Sequence, residues 1–218
     1  MEKIDQSVRY LDQAGMGGLS KEVKRNFINS LTGFKSLCLC ATQDHEGHTN
    51  LALMSQVIHV GANPPLIGVL FRPHVVPRHS LENIENTGLF SLNHVTEEIY
   101  QQAHQASARY SREESEFDAT GLTPIFDGQL NVPYVKESVI RLGLSFKERH
   151  NILTNATILV IGEIKEVYVP EDLISEDGYV DVEGAGSLTV SGLDSYHRTQ
   201  RLARLSYAKP NKSVEKLD

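Results

Sequence analysis

Between residues 34 and 94 the chain sets short apolar runs against turn residues at the spacing of β-strands. One run covers Phe34 to Thr42, and the polar turn Asp44-His45-Glu46-Gly47 separates it from a second, Thr49-Asn50-Leu51-Ala52-Leu53-Met54-Ser55-Gln56. Asn63-Pro64-Pro65 marks the next turn, and Leu66 to Phe71 makes a third run. The first and third are apolar on both faces, which predicts central positions in a barrel rather than a half-wet sheet. A strand is expected over 89–94, and two long ones over 138–149 and 156–168. The last alternates as Ile158, Val160, Gly162 and Ile164. Helical spacing is confined to short pieces. After Ser20, Val23, Phe27 and Leu31 recur every four residues, and Gly33 ends the helix. Ser80 stands at an N-cap position before Leu81 and Ile84, with Gly88 as the stop. Thr96 with Glu97 and Glu98 predicts a helix running to about residue 108, and Pro170 to Ile174 a helical turn. Residues 111–135, punctuated by Gly121, Pro124, Gly128 and Pro133, read as an irregular excursion.

No Gly-x-Gly-x-x-Gly lies between a strand and a helix, and parallel βαβ alternation is missing, which argues against a dinucleotide-binding doubly wound fold. The pattern predicts a mainly β protein: an antiparallel barrel with peripheral helices over its ends. The expected organisation is a polar N-terminal arm at 1–19, one domain at 20–209, and a charged, disordered C-terminal tail at 210–218.

Composition narrows the function. A formal net charge of −7 opposes the basic footprint of nucleic-acid binding. No apolar run approaches the roughly 20 residues that span a bilayer, and residues 1–18 lack the apolar core of a signal peptide. No membrane partner and a cytoplasmic location are therefore expected. Cys38 and Cys40 share one strand face, where a disulfide would be strained, so two inert buried thiols are expected. Two cysteines fall short of a structural zinc site, the histidines give no His-Glu-x-x-His, and no Gly-x-Ser-x-Gly elbow is present. The sequence offers no metal centre and no activated nucleophile.

What it does offer is a ligand-binding strand and an anion site. Asn50, Ala52, Ser55 and Gln56 interrupt the second strand with small and polar residues, leaving room for a flat ligand against the backbone. Arg72, Arg78, His79 and Ser80 gather phosphate donors around a helix N-terminus. Phe71 could cover a ring face or belong to the core, and Asn93 could line the pocket or serve a turn. His197 is a candidate substrate-binding residue, against the plainer reading of a surface histidine.

Taken in order, these segments, with Phe90-Ser91-Leu92-Asn93, Phe117-Asp118-Ala119-Thr120-Gly121-Leu122-Thr123-Pro124 and Ile161-Gly162-Glu163-Ile164, resemble the flavin-reductase-like family of FMN-binding split barrels over roughly residues 25–207. The resemblance implies a Greek-key antiparallel split β-barrel that binds FMN. It places Thr49, Asn50, Leu51, Ala52, Ser55 and Gln56 along the isoalloxazine and Arg72, Arg78, His79 and Ser80 at the phosphate. In this loop the family often has Lys or Thr, and His79 departs from that pattern. It also implies a homodimer, NAD(P)H as co-substrate, hydride transfer to flavin N5, and a partner oxygenase or other electron acceptor. The alternative is a non-catalytic FMN-binding or electron-transfer protein without a nicotinamide site. A heme or pyridoxal-type binder on the same barrel is a third reading.

Overall fold

The structure, a computed structural model, describes residues 8–217; residues 1–7 of the expected arm and Asp218 of the expected tail lie outside them. In chain order the elements are α1 (Gln13–Gly17), α2 (Lys21–Ser30), β1 (Lys35–Ser36), β2 (Cys38–Gln43), β3 (Thr49–Met54), β4 (Val57–Ala62) and β5 (Pro65–Phe71). Then come α3 (His79–Thr87), β6 (Leu89–His94), α4 (Tyr100–Gln105), α5 (Glu116–Thr120), β7 (Pro124–Ile125) and β8 (Tyr134–Val135). The chain continues with β9 (Arg141–Ile152), β10 (Thr157–Tyr168), a 3-10 turn at Glu171–Leu173, β11 (Thr189–Ser191) and β12 (Ser195–His197).

Seven strands form one antiparallel sheet in the order β3-β2-β6-β9-β10-β5-β4. Its two outermost strands, β3 and β4, are joined through Ser55 and Gln56 alone, so the sheet is drawn round into a barrel. Where one strand is expected before the Pro-Pro turn, the chain therefore makes two, and they pair at opposite ends of the sheet.

The alternation of β2 separates two cores. Cys38 and Cys40 face the interior of the curled sheet with Val69, Phe71, Phe90, Leu92, Leu144, Ile158 and Val160, closed over by Leu81 and Ile84 of α3. Leu37, Leu39 and Ala41 face the other way, against Leu51, Ile99, Ala103, Phe117 and Leu188 beneath α4 and α5. Both thiols are free and buried, and burial pushes the Cys38 thiol up to about 12, which keeps it protonated and inert. Gly162 is required where it stands: a Cβ there would lie 2.5 Å from Cζ of Phe90, whose ring fills the barrel centre.

Three local expectations change. The helix expected to begin after Ser80 begins at His79, with Arg78 as its N-cap. Ser80 lies inside the first turn, where its hydroxyl accepts from Asn50 Nδ2 instead of capping the helix, and Glu82 reaches back to accept from the Arg78 N–H at 3.2 Å. The helix after Thr96 is short, Tyr100–Gln105. The excursion contains α5, capped by Ser115 accepting from the Phe117 N–H, and the small β7–β8 pair. At the described part of the tail, Ser206 N–H donates to Glu215 O at 2.9 Å.

Candidate functional site

In an antiparallel strand, backbone groups point alternately toward and away from the neighbouring strand. Leu51, although paired in register with Ala41, donates its N–H away from β2 to Oε2 of Glu116 at 2.8 Å. The N–H groups of Thr49, Leu51 and Leu53 therefore face outward. Glu116 takes the middle one, and Ser115 meets the Thr49 hydroxyl at 2.8 Å. Beyond this tie, Ala52, Ser55 and Gln56 are half-buried, and the polar ends of Ser55 and Gln56 make no hydrogen bond among the described residues. The Gln56 carbonyl, by contrast, is fixed by the Leu70 N–H at 3.0 Å. A rigid strand edge with uncommitted polar groups can receive a flat ligand.

Asn50 and Ser80, from β3 and α3, meet directly: Asn50 Nδ2 donates to Ser80 Oγ at 2.7 Å, with both side chains buried. This contact fixes the start of α3 against the strand. Arg78 lies half-buried at the N-cap, and its Nε is buried without a hydrogen-bond partner. Arg72 and Arg109 also make no side-chain hydrogen bond or ion pair among the described residues. The contrast with other arginines is sharp: Arg112 pairs with Glu82, Arg149 with Glu85, Arg198 with Glu97 and Arg204 with Asp177. Burial, and then the charges of Arg72 and Arg109, pull the Arg78 pKa below the ordinary guanidinium value. Arg78 thus feels the charge of two exposed arginines, Arg72 and Arg109, and none of the three side chains makes an ion pair among the described residues, in a chain carrying 28 acidic against 21 basic residues. The arrangement is suited to an anion.

Other expected residues fall elsewhere. Phe71 is 4% exposed and belongs to the barrel core. Asn93 is fully buried and spent on the fold: its Nδ2 donates to Leu39 O at 3.0 Å and to Ser91 Oγ, and its Oδ1 accepts from Val135 N–H at 3.0 Å. The Leu51 side chain is likewise in the core under α5. His79 lines a small concavity with Thr49, Asn50, Asn83 and Arg112. His197 on β12 is held by Ser191 Oγ at 2.8 Å and packs edge-on to Phe34, with ring centroids 4.8 Å apart. Lys35, next to Phe34, donates to Gly192 O at 2.5 Å on that same hairpin. Burial, and then the charge of Arg72, lower its pKa.

Arg109, Ser115 and Glu116 are missed by the sequence reading, since all three belong to the segment read as irregular. The available signal is two arginines, Arg109 and Arg112, flanking Tyr110-Ser111 just before an acidic stretch.

Glu116 carries a pH dependence. Burial raises its pKa above the ordinary glutamate value, outweighing the Leu51 N–H bond that favours the carboxylate. The folded state thus holds this proton more tightly than the unfolded chain. The resulting stabilisation is complete below the unfolded-state pKa and is lost as pH climbs from there through the raised folded-state value. Glu116→Gln is neutral at every pH and can still accept from Leu51 N–H. In melting curves taken from about pH 4 to 8, the wild type is expected to lose stability relative to Glu116→Gln as pH rises. Parallel pH profiles would refute it.

The barrel defines a class, and comparison with known proteins agrees. A sequence model of the flavin reductase like domain matches residues 35–185, so the chain belongs to that family. It is similar to a solved structure from Shewanella frigidimarina, described as a candidate flavin reductase with a split barrel domain. That protein is 46% identical, the match covers 92% of this chain and 100% of the other, and the TM-score is 0.89. Nitrilotriacetate monooxygenase component B from Bacillus cereus, at 22% identity over 92% of this chain and 100% of that one, shares the fold with a TM-score of 0.78. An uncharacterized protein of Halalkalibacterium halodurans is 28% identical over 158 residues, which is 68% of this chain and 74% of that one. The fold is the split barrel, and the family is one that handles flavins. Among the described residues no helix is long and apolar enough to cross a membrane, and no group of His, Cys, Asp and Glu could hold a metal ion.

Proposed function

We propose that this chain binds FMN and serves as an NAD(P)H-dependent flavin reductase. The observation that carries the reading is the unpaired cluster of Arg72, Arg78 and Arg109 beside the Asn50–Ser80 contact. A phosphate monoester carries about two negative charges at neutral pH, and it would supply both the acceptor that Arg78 Nε lacks and the charge that the three guanidinium groups lack. FMN has such a group and riboflavin does not.

The phosphate position at the start of α3 leaves the isoalloxazine to run along Ala52, Ser55 and Gln56. There the outward N–H of Leu53 and the Ser55 and Gln56 side chains can meet its polar edge. When bound, the flavin supplies the hydride-accepting chemistry at N5, which needs no acid or base from the protein. The residues at the strand edge accordingly bind and orient. Gln56, fixed through its carbonyl, holds the polar edge in register, and the carbonyl-bound Lys35 places the His197 hairpin near the site as the candidate nicotinamide subsite. A homodimer in the cytoplasm, passing reduced flavin to dioxygen, another acceptor or a partner oxygenase, completes the proposal. The fold neighbour from Bacillus cereus is itself component B of a monooxygenase.

The test is an anaerobic visible spectrum of the FMN-loaded protein, followed by addition of NADH and then NADPH. Rapid bleaching of the flavin band is the expected result and identifies the donor. A bound flavin that responds to neither would leave a flavin-binding or electron-transfer protein. Failure to bind FMN at all would overturn the cofactor assignment.

A further inference from the structure

We propose that Arg109 is a phosphate-binding residue of the flavin site, delivered by residues 109–116 acting as a strap across it. This rests on the FMN reading above and deepens it.

The strap is anchored on the two elements that form the rest of the phosphate site. Arg112 donates to Glu82 and, at 3.3 Å, to Asn83 Oδ1, both on the first turns of α3 that begin at Arg78. It also lies 3.8 Å from Asp44 in the β2–β3 turn. Ser115 and Glu116 then fasten the other end to Thr49 and Leu51 of β3, on either side of Asn50. The strap thus runs from the helix that carries Arg78 and Ser80 to the strand that carries Asn50.

The two arginines of this segment behave differently. Arg112 is committed to carboxylates. Arg109 has Glu113 and Glu114 close by in sequence, yet makes no ion pair among the described residues and instead stands within electrostatic reach of Arg78, itself beside Arg72. Like charges gathered without a counter-ion repel one another, and solvent screening alone gives an arginine no reason to seek such company. An anion shared by all three removes the penalty. Two of the cations come from one side, at the end of β5 and the start of α3, and Arg109 comes from the strap. A phosphate held by all three draws its contacts from separate elements of the chain, which suits selection of a phosphorylated flavin over an unphosphorylated one.

The experiment compares FMN and riboflavin affinities, by quenching of flavin fluorescence without nicotinamide nucleotide, in the wild type, Arg109→Ala and Arg109→Lys. The ratio of the two affinities is the readout, since general damage to the fold lowers both and leaves it unchanged. The wild type is expected to prefer FMN. Arg109→Ala should reduce that preference by about tenfold or more, the loss of one charge-assisted contact, with riboflavin affinity retained. Arg109→Lys should restore part of it. Added salt should erode the preference more steeply in the wild type than in Arg109→Ala. A wild-type ratio preserved in Arg109→Ala would overturn the role of Arg109 alone. A wild type that binds FMN and riboflavin equally would overturn the phosphate-site reading and Arg109 with it.

Discussion

Arg78→Ala is expected to weaken FMN binding by about 10- to 100-fold while leaving the flavin-free protein as stable as the wild type or more so. The two halves of this result have one cause. In the absence of a ligand, Arg78 is a liability: its Nε is buried without a partner, and two neighbouring guanidinium groups repel it. A buried N–H without an acceptor and a cation set among like charges both cost stability, so truncation relieves the free protein. With phosphate present the same group supplies a charge-assisted hydrogen bond that alanine cannot replace. Titration calorimetry with FMN and melting of the apoprotein check the two halves separately. A fall in apoprotein melting temperature with FMN affinity unchanged would mean that Arg78 serves the fold.

Phe90→Ala is expected to destabilise the protein by about 3–5 kcal/mol, the range for removing a fully buried aromatic side chain. Phe90 has no exposed surface, and Gly162 on β10 lacks a side chain where the ring passes. The void left by alanine would lie between two long, rigid strands, where collapse is restricted. Urea denaturation should show the midpoint falling with the slope unchanged. A loss below about 1.5 kcal/mol would show that the barrel centre relaxes around the cavity. Because the two sites touch, Gly162→Ala combined with Phe90→Leu should cost less than the sum of the single changes.

These two residues also mark how far the sequence could be read. Phe90 and Gly162 lie in strands whose alternation was plain, and strand existence, the Gly88 stop and the buried cysteines followed from local pattern. The break at Ser55 and Gln56 did not, because both residues suit a strand and only the pairing of β3 with β2 and β4 with β5 separates them. Arg78 and Ser80 were legible as a candidate anion site from their clustering in sequence. Arg109 was not, since a residue some thirty positions downstream is brought to Arg78 by the tertiary anchors of Arg112, Ser115 and Glu116. Asn93 shows the complementary difficulty. An amide near a strand end reads as available until its three buried partners are known, and two of them are backbone groups distant in sequence.

The closure through Ser55 and Gln56 has a mechanical consequence. No ladder joins β3 to β4 among the described residues, so the wall of the barrel has a seam held at one end by covalent continuity through Ser55 and Gln56. The strand edge proposed to receive the flavin runs along that seam. A ligand seated there works as a rivet between the two margins: its binding energy adds directly to the resistance of the barrel's weakest line. Amide exchange in the apoprotein would then be fastest in the outward amides of β3 beyond Glu116, and slow on loading, while the β9–β10 ladder on the far wall stays protected in both states.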